Sequence, residues 1–211
     1  MNAADFGAPQ KRHRLVIVGV RRDQASCAPL LMKTHSRERL LWDQWISATY
    51  WNMHGISAPK SGPANSDRAA ISRLQKERIK PSTMPWITVR DAISDLGEPN
   101  GTGNHCFQAG ARVYKGHTGS PLDQPAKALK AGDHGVPGGE NMMVRDDGSV
   151  RYFSLREAAR LQGLPDDYEF PRSWSESMRQ LGNAVPTQLS AAIGEEIRHH
   201  IGSLRSKLLA A

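Results

Sequence analysis

The apolar run Leu15-Val16-Ile17-Val18-Gly19-Val20 constrains this chain more than any other segment. It is short, continuous and β-branched, which predicts a strand buried on both faces of a sheet. Such a strand needs neighbours on both sides, and little chain precedes it. The sequence therefore reads as the back part of something larger.

Beyond this run the pattern turns helical. Leu41, Trp42, Trp45, Ile46, Thr49 and Met53 recur at spacings of three and four, which predicts a helix over 36–54 closed by Gly55. Pro and Ser in 57–65 mark a loop, and a short helix follows from Asp67 to Lys80, where Pro81 stops it. Thr88-Val89-Arg90-Asp91 has the form of a capping box, opening a helix that ends near Gly97. Residues 98–150 are rich in Gly, Pro, Asn and Asp and predict loops and short strands with little core of their own. Ser154-Leu155-Arg156-Glu157 is a second capping box, and Gly163 with Pro165 closes its helix. The last helix starts at Pro186 and carries Leu189, Ile193, Ile197 and Ile201 every four residues, then Leu204 and Leu208.

Composition narrows the partners. The 28 Lys and Arg against 21 Asp and Glu give a net charge of +7 over 211 residues. A balance this basic fits a polyanion, nucleic acid first, although a well-solvated surface explains it too. No run approaches the ~18 apolar residues of a membrane span. The start lacks the layout of a signal peptide. Two cysteines, Cys27 and Cys106, fit a reducing cytoplasm and read as structural. The eight histidines are scattered, with no CxxC or HExxH, so no metal site is expected.

Three short segments carry candidate chemistry. In Gln10-Lys11-Arg12-His13-Arg14, alternation along an extended chain points Arg12 and Arg14 the same way. Paired guanidinium groups suit a phosphate or a base edge, whereas a solvated charge run is the plainer reading. Gly182-Asn183-Ala184-Val185-Pro186 lies at the start of the last helix, where free backbone N–H groups and the Asn183 amide can hold a carboxylate; an ordinary Asn cap is the alternative. His134-Gly135-Val136-Pro137-Gly138-Gly139-Glu140 is either a recognition loop that lets backbone approach a ligand or a plain tight turn.

Taken in order, these segments resemble the C-terminal part of a bacterial DNA (cytosine-5) methyltransferase. The stretch from Asn2-Ala3-Ala4-Asp5-Phe6-Gly7 through Gln10-Lys11-Arg12-His13-Arg14 to Gly19 is similar to that family's eighth conserved block, with its Gln-x-Arg-x-Arg motif. Residues 154–166 look like the ninth, and Gln180-Leu181-Gly182-Asn183-Ala184-Val185-Pro186 like the tenth. Between the eighth and ninth the family carries its target recognition domain, and Pro125-Ala126-Lys127-Ala128-Leu129 with 134–140 is similar to such sequence. The resemblance implies that Arg12 and Arg14, with Gln10, line the catalytic pocket. It implies that Asn183, between Gly182 and Ala184, lies at the methionine end of S-adenosylmethionine. It implies DNA contacts at Lys127, His134, Gly138 and Gly139. Relatives tend to carry Thr at the position of Ala128, so that backbone contact is not carried over.

The family's reaction also needs a Pro-Cys nucleophile, a Glu-Asn-Val triplet and a Phe-x-Gly-x-Gly cofactor loop. None is present: Cys27 follows Ser26, Cys106 follows His105, and Glu140-Asn141 runs into Met142. The expectation is thus an α/β fold: the C-terminal portion of a Rossmann-like S-adenosylmethionine-dependent methyltransferase, with a strand at the start and a long helix at the end. A small, loop-rich α+β recognition domain is inserted. Residues 1–30 would end the catalytic domain, 31–165 form the recognition domain, and 166–211 return to the cofactor side. Its partners would be double-stranded DNA and a separate N-terminal half or α subunit bringing the attacking cysteine. This chain alone would be inactive. A truncated inactive product and a stand-alone DNA-binding module are the rivals.

Overall fold

The computed structural model describes residues 1–21, 23, 28–131 and 139–209, with Gly139 and 204–209 described in backbone only. Small sheets and helices alternate along it. In chain order they are β1 (Gln10–Lys11), β2 (His35–Ser36), α1 (Arg37–Trp45), α2 (Thr49–Met53), α3 (Asn65–Glu77), β3 (Met84–Pro85), α4 (Val89–Ile93), β4 (Ser120–Pro121), β5 (Ala126–Lys127), β6 (Met142–Val144), β7 (Val150–Tyr152), α5 (Leu155–Leu161), α6 (Trp174–Asn183) and α7 (Thr187–Leu209). β1 pairs in parallel with β5, β2 in parallel with β3, and β6 lies between parallel β4 and antiparallel β7. The pairings between β1 and β5 and between β2 and β3 span distant sequence, so each ties an early segment to a late one.

Both capping boxes form. Thr88 accepts from the Asp91 N–H while Asp91 accepts from the Thr88 N–H, and Ser154 with Glu157 does the same. The predicted helix over 36–54 is instead two. Ser47 donates its hydroxyl to the Trp42 carbonyl and shares a hydrogen bond with Thr49, and Ala48 turns left-handed at φ +56°. A serine that offers the backbone a local alternative breaks the helix there. α3 runs Asn65–Glu77, ending at a left-handed Arg78 before Pro81 is reached.

Two expectations need larger corrections. Residues 15–20 form no strand; Leu15 and Ile17 are 87% and 84% exposed. The run meets no pairing partner among the described residues, so its hydrophobic pattern goes unused. The segment 173–183, not foreseen as helical, is α6. Ser173 caps it by accepting from the Glu176 N–H, and Met178 and Leu181 face inward.

The main apolar cluster gathers Val89, Ile93, Ala126, Leu129, Met143, Phe153, Leu155, Ala158, Leu161, Phe170, Met178 and Leu181. A second joins Ala3, Phe6 and Ala8, from the 3₁₀ turn Ala3–Phe6 and its exit, to Leu189 of α7. The tryptophans and leucines of α1–α3 make up the rest. Next to the main cluster sits a buried ion pair. Arg151 donates to both oxygens of Glu157 at 2.6 and 2.7 Å, with side chains 6% and 0% exposed. The same carboxylate caps α5; Gln keeps a capping oxygen, but removing the charge leaves the buried Arg151 cation without its counter-ion. Glu157→Gln is expected to lower unfolding free energy by roughly 3 kcal/mol. Glu176→Gln, which breaks the exposed pair with Arg179, is expected to leave the thermal midpoint unchanged. Paired thermal melts check both.

Candidate functional site

Of the residues singled out from the sequence, Gln10, Arg12 and Gly182 meet at the ends of α5 and α6. The 3₁₀ turn at the start folds the chain back: Asn2 bridges His13, and the Ala3 N–H donates to the Arg12 carbonyl at 2.9 Å. Gly7 makes this possible, having φ +87° and a position where a Cβ would press on the His35 ring. Strand alternation then sends Gln10 and Arg12 inward, at 0% and 1% exposure, and leaves Lys11 half-buried and His13 exposed.

What the two inward side chains meet are carbonyls. A helix leaves its last carbonyls without intrahelical donors, and these need partners when buried. Gln10 Nε2 donates to the Leu161 carbonyl, the last of α5, at 2.7 Å. Arg12 Nη2 donates to the Gly182 carbonyl near the end of α6 at 2.5 Å, and its Nη1 to the Leu129 carbonyl at 2.8 Å. Gln162, just past α5, donates to the Leu181 carbonyl. The Thr187 N–H that opens α7 donates to the Gln162 carbonyl at 3.0 Å. A cation at a helix C-terminus also meets the negative end of the helix dipole. Burial nevertheless pushes the Arg12 guanidinium down to about 10, with Arg14 nearby acting in the same direction. Gly182 is required for closeness: a Cβ there would overlap the backbone of Lys130 and Ala131.

Arg14 and Asn183 are placed differently. Arg14 is half-exposed and donates only to the carbonyl of its neighbour His13, at 2.8 Å. Asn183 is exposed, and no described residue hydrogen-bonds its amide. It ends α6 and does not open α7. The Thr187 N–H is already engaged by Gln162, so the free donors expected at the start of the last helix are fewer than the sequence suggested. Ala184 is half-buried, its N–H bonded back to the Gln180 and Leu181 carbonyls.

Of the residues expected to meet DNA, Lys127 lies on β5, half-buried, with its ammonium on the Thr118 hydroxyl at 2.9 Å. Gly139 opens a 3₁₀ turn through Asn141. His134 and Gly138 lie outside the described residues, as does Cys27. Cys106 is exposed, and the adjacent His105 is buried against Ser154 at 2.8 Å, occupied away from the thiol. No group of three or more potential ligand side chains gathers for a metal ion among the described residues, and none of their helices is long and apolar enough to cross a membrane. The sequence reading gave Gln162 no role. Its place directly after a capped helix and before a glycine was the available signal.

The family model described as C-5 cytosine-specific DNA methylase matches residues 1–199, and the chain belongs to that family. Among its relatives, the type II methyltransferase M.AplI of Arthrospira platensis is 27% identical over 202 residues, 94% of this chain and 46% of that protein. M.NgoFVII of Neisseria gonorrhoeae is 28% identical over 187 residues, 89% of this chain and 45% of that protein. M.Sau96I of Staphylococcus aureus is 26% identical over 202 residues, 95% of this chain and 42% of that protein. The chain therefore spans about half the length of the curated relatives it matches, and its match to them is with their C-terminal part.

The geometry separates two arginines of one motif. Arg12→Met leaves two buried carbonyls without donors and is expected to cost about 3 kcal/mol of stability. Arg14→Met is expected to stay within about 0.5 kcal/mol of the parent. Urea unfolding of the two variants measures the difference.

Proposed function

We propose that this chain is the target-recognising, C-terminal part of a cytosine-5 DNA methyltransferase and completes its active site together with an N-terminal half carried by another chain. On this reading 1–30 and 166–211 belong to a Rossmann-like catalytic domain, with 31–165 the recognition domain between them. The observation that carries it is the split between enclosed and available groups. Gln10, Arg12 and Gln162 hold the helix ends in place, while Arg14 and Asn183 keep polar groups turned to the surface.

Arg14 is then the guanidinium that meets the extruded cytosine. A base within the duplex is out of reach and must leave the stack first. Asn183 fits S-adenosylmethionine through an exposed amide able to receive the cofactor's charged amino-acid end. That cofactor supplies the methyl group. The net charge of +7 suits the DNA backbone, with Lys127, His134, Gly138 and Gly139 as recognition-side contacts. Two features favour an N-terminal companion. No Pro-Cys or Glu-Asn-Val occurs in these residues, and Leu15, Ile17 and Ile201 leave apolar surface uncovered at 87%, 84% and 50% exposure. The cytoplasm, where DNA and reduced cysteines coincide, is the fitting compartment.

The test is complementation. This chain is co-purified with a methyltransferase N-terminal half containing Pro-Cys, and radiolabelled methyl transfer to DNA is measured. The complex is expected to label DNA and this chain alone is not; labelling by this chain alone overturns the mechanism. Arg14→Ala is expected to remove most turnover with DNA binding less affected, and Asn183→Ala to weaken cofactor binding in calorimetry of the complex. Affinity for duplex DNA is expected to fall steeply between about 50 and 200 mM salt, and a flat response removes nucleic acid from the reading.

A further inference from the structure

A cleft of about 540 Å³ opens beside β1, on the side away from the buried Arg12. That volume falls within the range of small-ligand sites. Trp45, Trp51 and Trp86 line it, together with Lys11, the residue between Gln10 and Arg12. The Trp51 indole N–H is held by the Gln44 carbonyl at 2.6 Å and that of Trp86 by Asp5 at 3.0 Å. These bonds fix the rings; Trp51 is packed into the core at 4% exposure, while Trp45 and Trp86 are half-buried and offer the accessible indole surface of the cleft. Trp45 stands edge-on to Trp51 with centroids 5.6 Å apart.

The lining carries two cations, Lys11 and Arg37, and two carboxylates, Asp67 and Asp123, but they are paired unevenly. Asp67 is paired with Arg37, and Asp123 with Arg90 at 2.6 Å. Lys11 has no carboxylate within ion-pair distance among the described residues. Its ammonium meets only the neutral Gln124 amide oxygen, at 3.4 Å, and lies 5.9 Å from the Trp86 ring centre. Burial draws its pKa down, offset only in part by the negative charge of Asp67. An anion is the missing partner at that point, and a flat heterocycle is what indole faces accept.

We propose that this cleft binds a single nucleotide, its base stacked against the indoles of Trp45 and Trp86 and its phosphate held by Lys11. The proposal rests on the nucleic-acid reading above and gives it a second contact point, separate from Arg14 and Asn183. The nucleotide is either free or one unstacked from a DNA strand, and both present the same phosphate and ring.

Tryptophan fluorescence of the full chain reads it. Titration with deoxyguanosine monophosphate is expected to quench emission saturably. Lys11→Met is expected to raise the dissociation constant about tenfold or more, as loss of a charged hydrogen bond does, and Lys11→Arg to restore it. Lys11→Met should keep the parent's melting midpoint, because Lys11 bonds only a neutral amide. Trp86→Leu, which removes one ring face, should reduce the quench and weaken binding independently of Lys11. No saturable quench, unchanged affinity in Lys11→Met, or inorganic phosphate competing as well as the nucleotide overturns the proposal. A duplex with one unpaired base then identifies the source. Stronger quenching than by the fully paired duplex assigns the cleft to DNA, and equal quenching alongside mononucleotide binding assigns it to a free nucleotide. Salt-dependent duplex binding without any nucleotide quench sinks the cleft alone; absence of both sinks the nucleic-acid reading as well.

Discussion

The guanidinium of Arg12 is the tie on which the rest of this structure depends. It reaches two carbonyls at once, Leu129 after β5 and Gly182 in α6, residues 117 and 170 positions away in sequence. A planar fork can do this where a lysine, with a single charged centre, cannot match the geometry. Both carbonyls are buried, so each would be costly without a donor. Gln10 and Gln162 repeat the device at Leu161 and Leu181. The chain's first strand, its middle segment and its two late helices are thus fastened by side-chain donors to backbone acceptors, with apolar packing filling in around them.

This fastening divides the labour within one short motif. Arg12 and Arg14 are the same residue type on the same side of an extended chain, but Arg12 is at 1% exposure and Arg14 stands half-exposed at the rim. The buried one has given its Nη donors to the fold. The other has spent one on a neighbouring carbonyl and keeps the remainder. Asn183 follows directly on Gly182, so the tie that fixes Gly182 also sets where the Asn183 amide stands. A rigid support beneath an exposed polar group is what pre-organised binding requires.

The parts of this arrangement that were legible in the sequence are those with a local cause. Thr88 with Asp91 and Ser154 with Glu157 satisfy backbone groups three residues away, and both boxes form. Glycines at 55 and 163 take the left-handed conformations their positions suggested. Local competition hid the break at Ala48, because a serine hydroxyl inside a good apolar period leaves the period intact. α6 carried readable signals that the expectation passed over: Ser173 with Glu176 has cap spacing, and Trp174, Met178 and Leu181 recur at four and three. The roles of Gln10, Gln162 and Arg12 as carbonyl partners were not legible, since they depend on segments that meet only after folding.

The last helix forms where the sequence placed it, over Thr187–Leu209, while 15–20 forms no strand, yet both leave apolar residues uncovered, and the reason is general. Hydrophobic period specifies that a face seeks burial; it does not specify what provides it. Along α7 the stripe is met at one end only: Leu189 is fully buried against Phe6, Ile193 and Ile197 are half-buried, and Ile201 is 50% exposed. In 15–20 the valines are half-buried while Leu15 and Ile17 stand in solvent. Water gains nothing from such residues, and an extended segment with open backbone groups is adhesive toward any matching edge. On the proposed reading these uncovered faces are where the companion half packs. On that reading, covering Leu15 and Ile17 would also set Arg14, the residue beside them, against the companion.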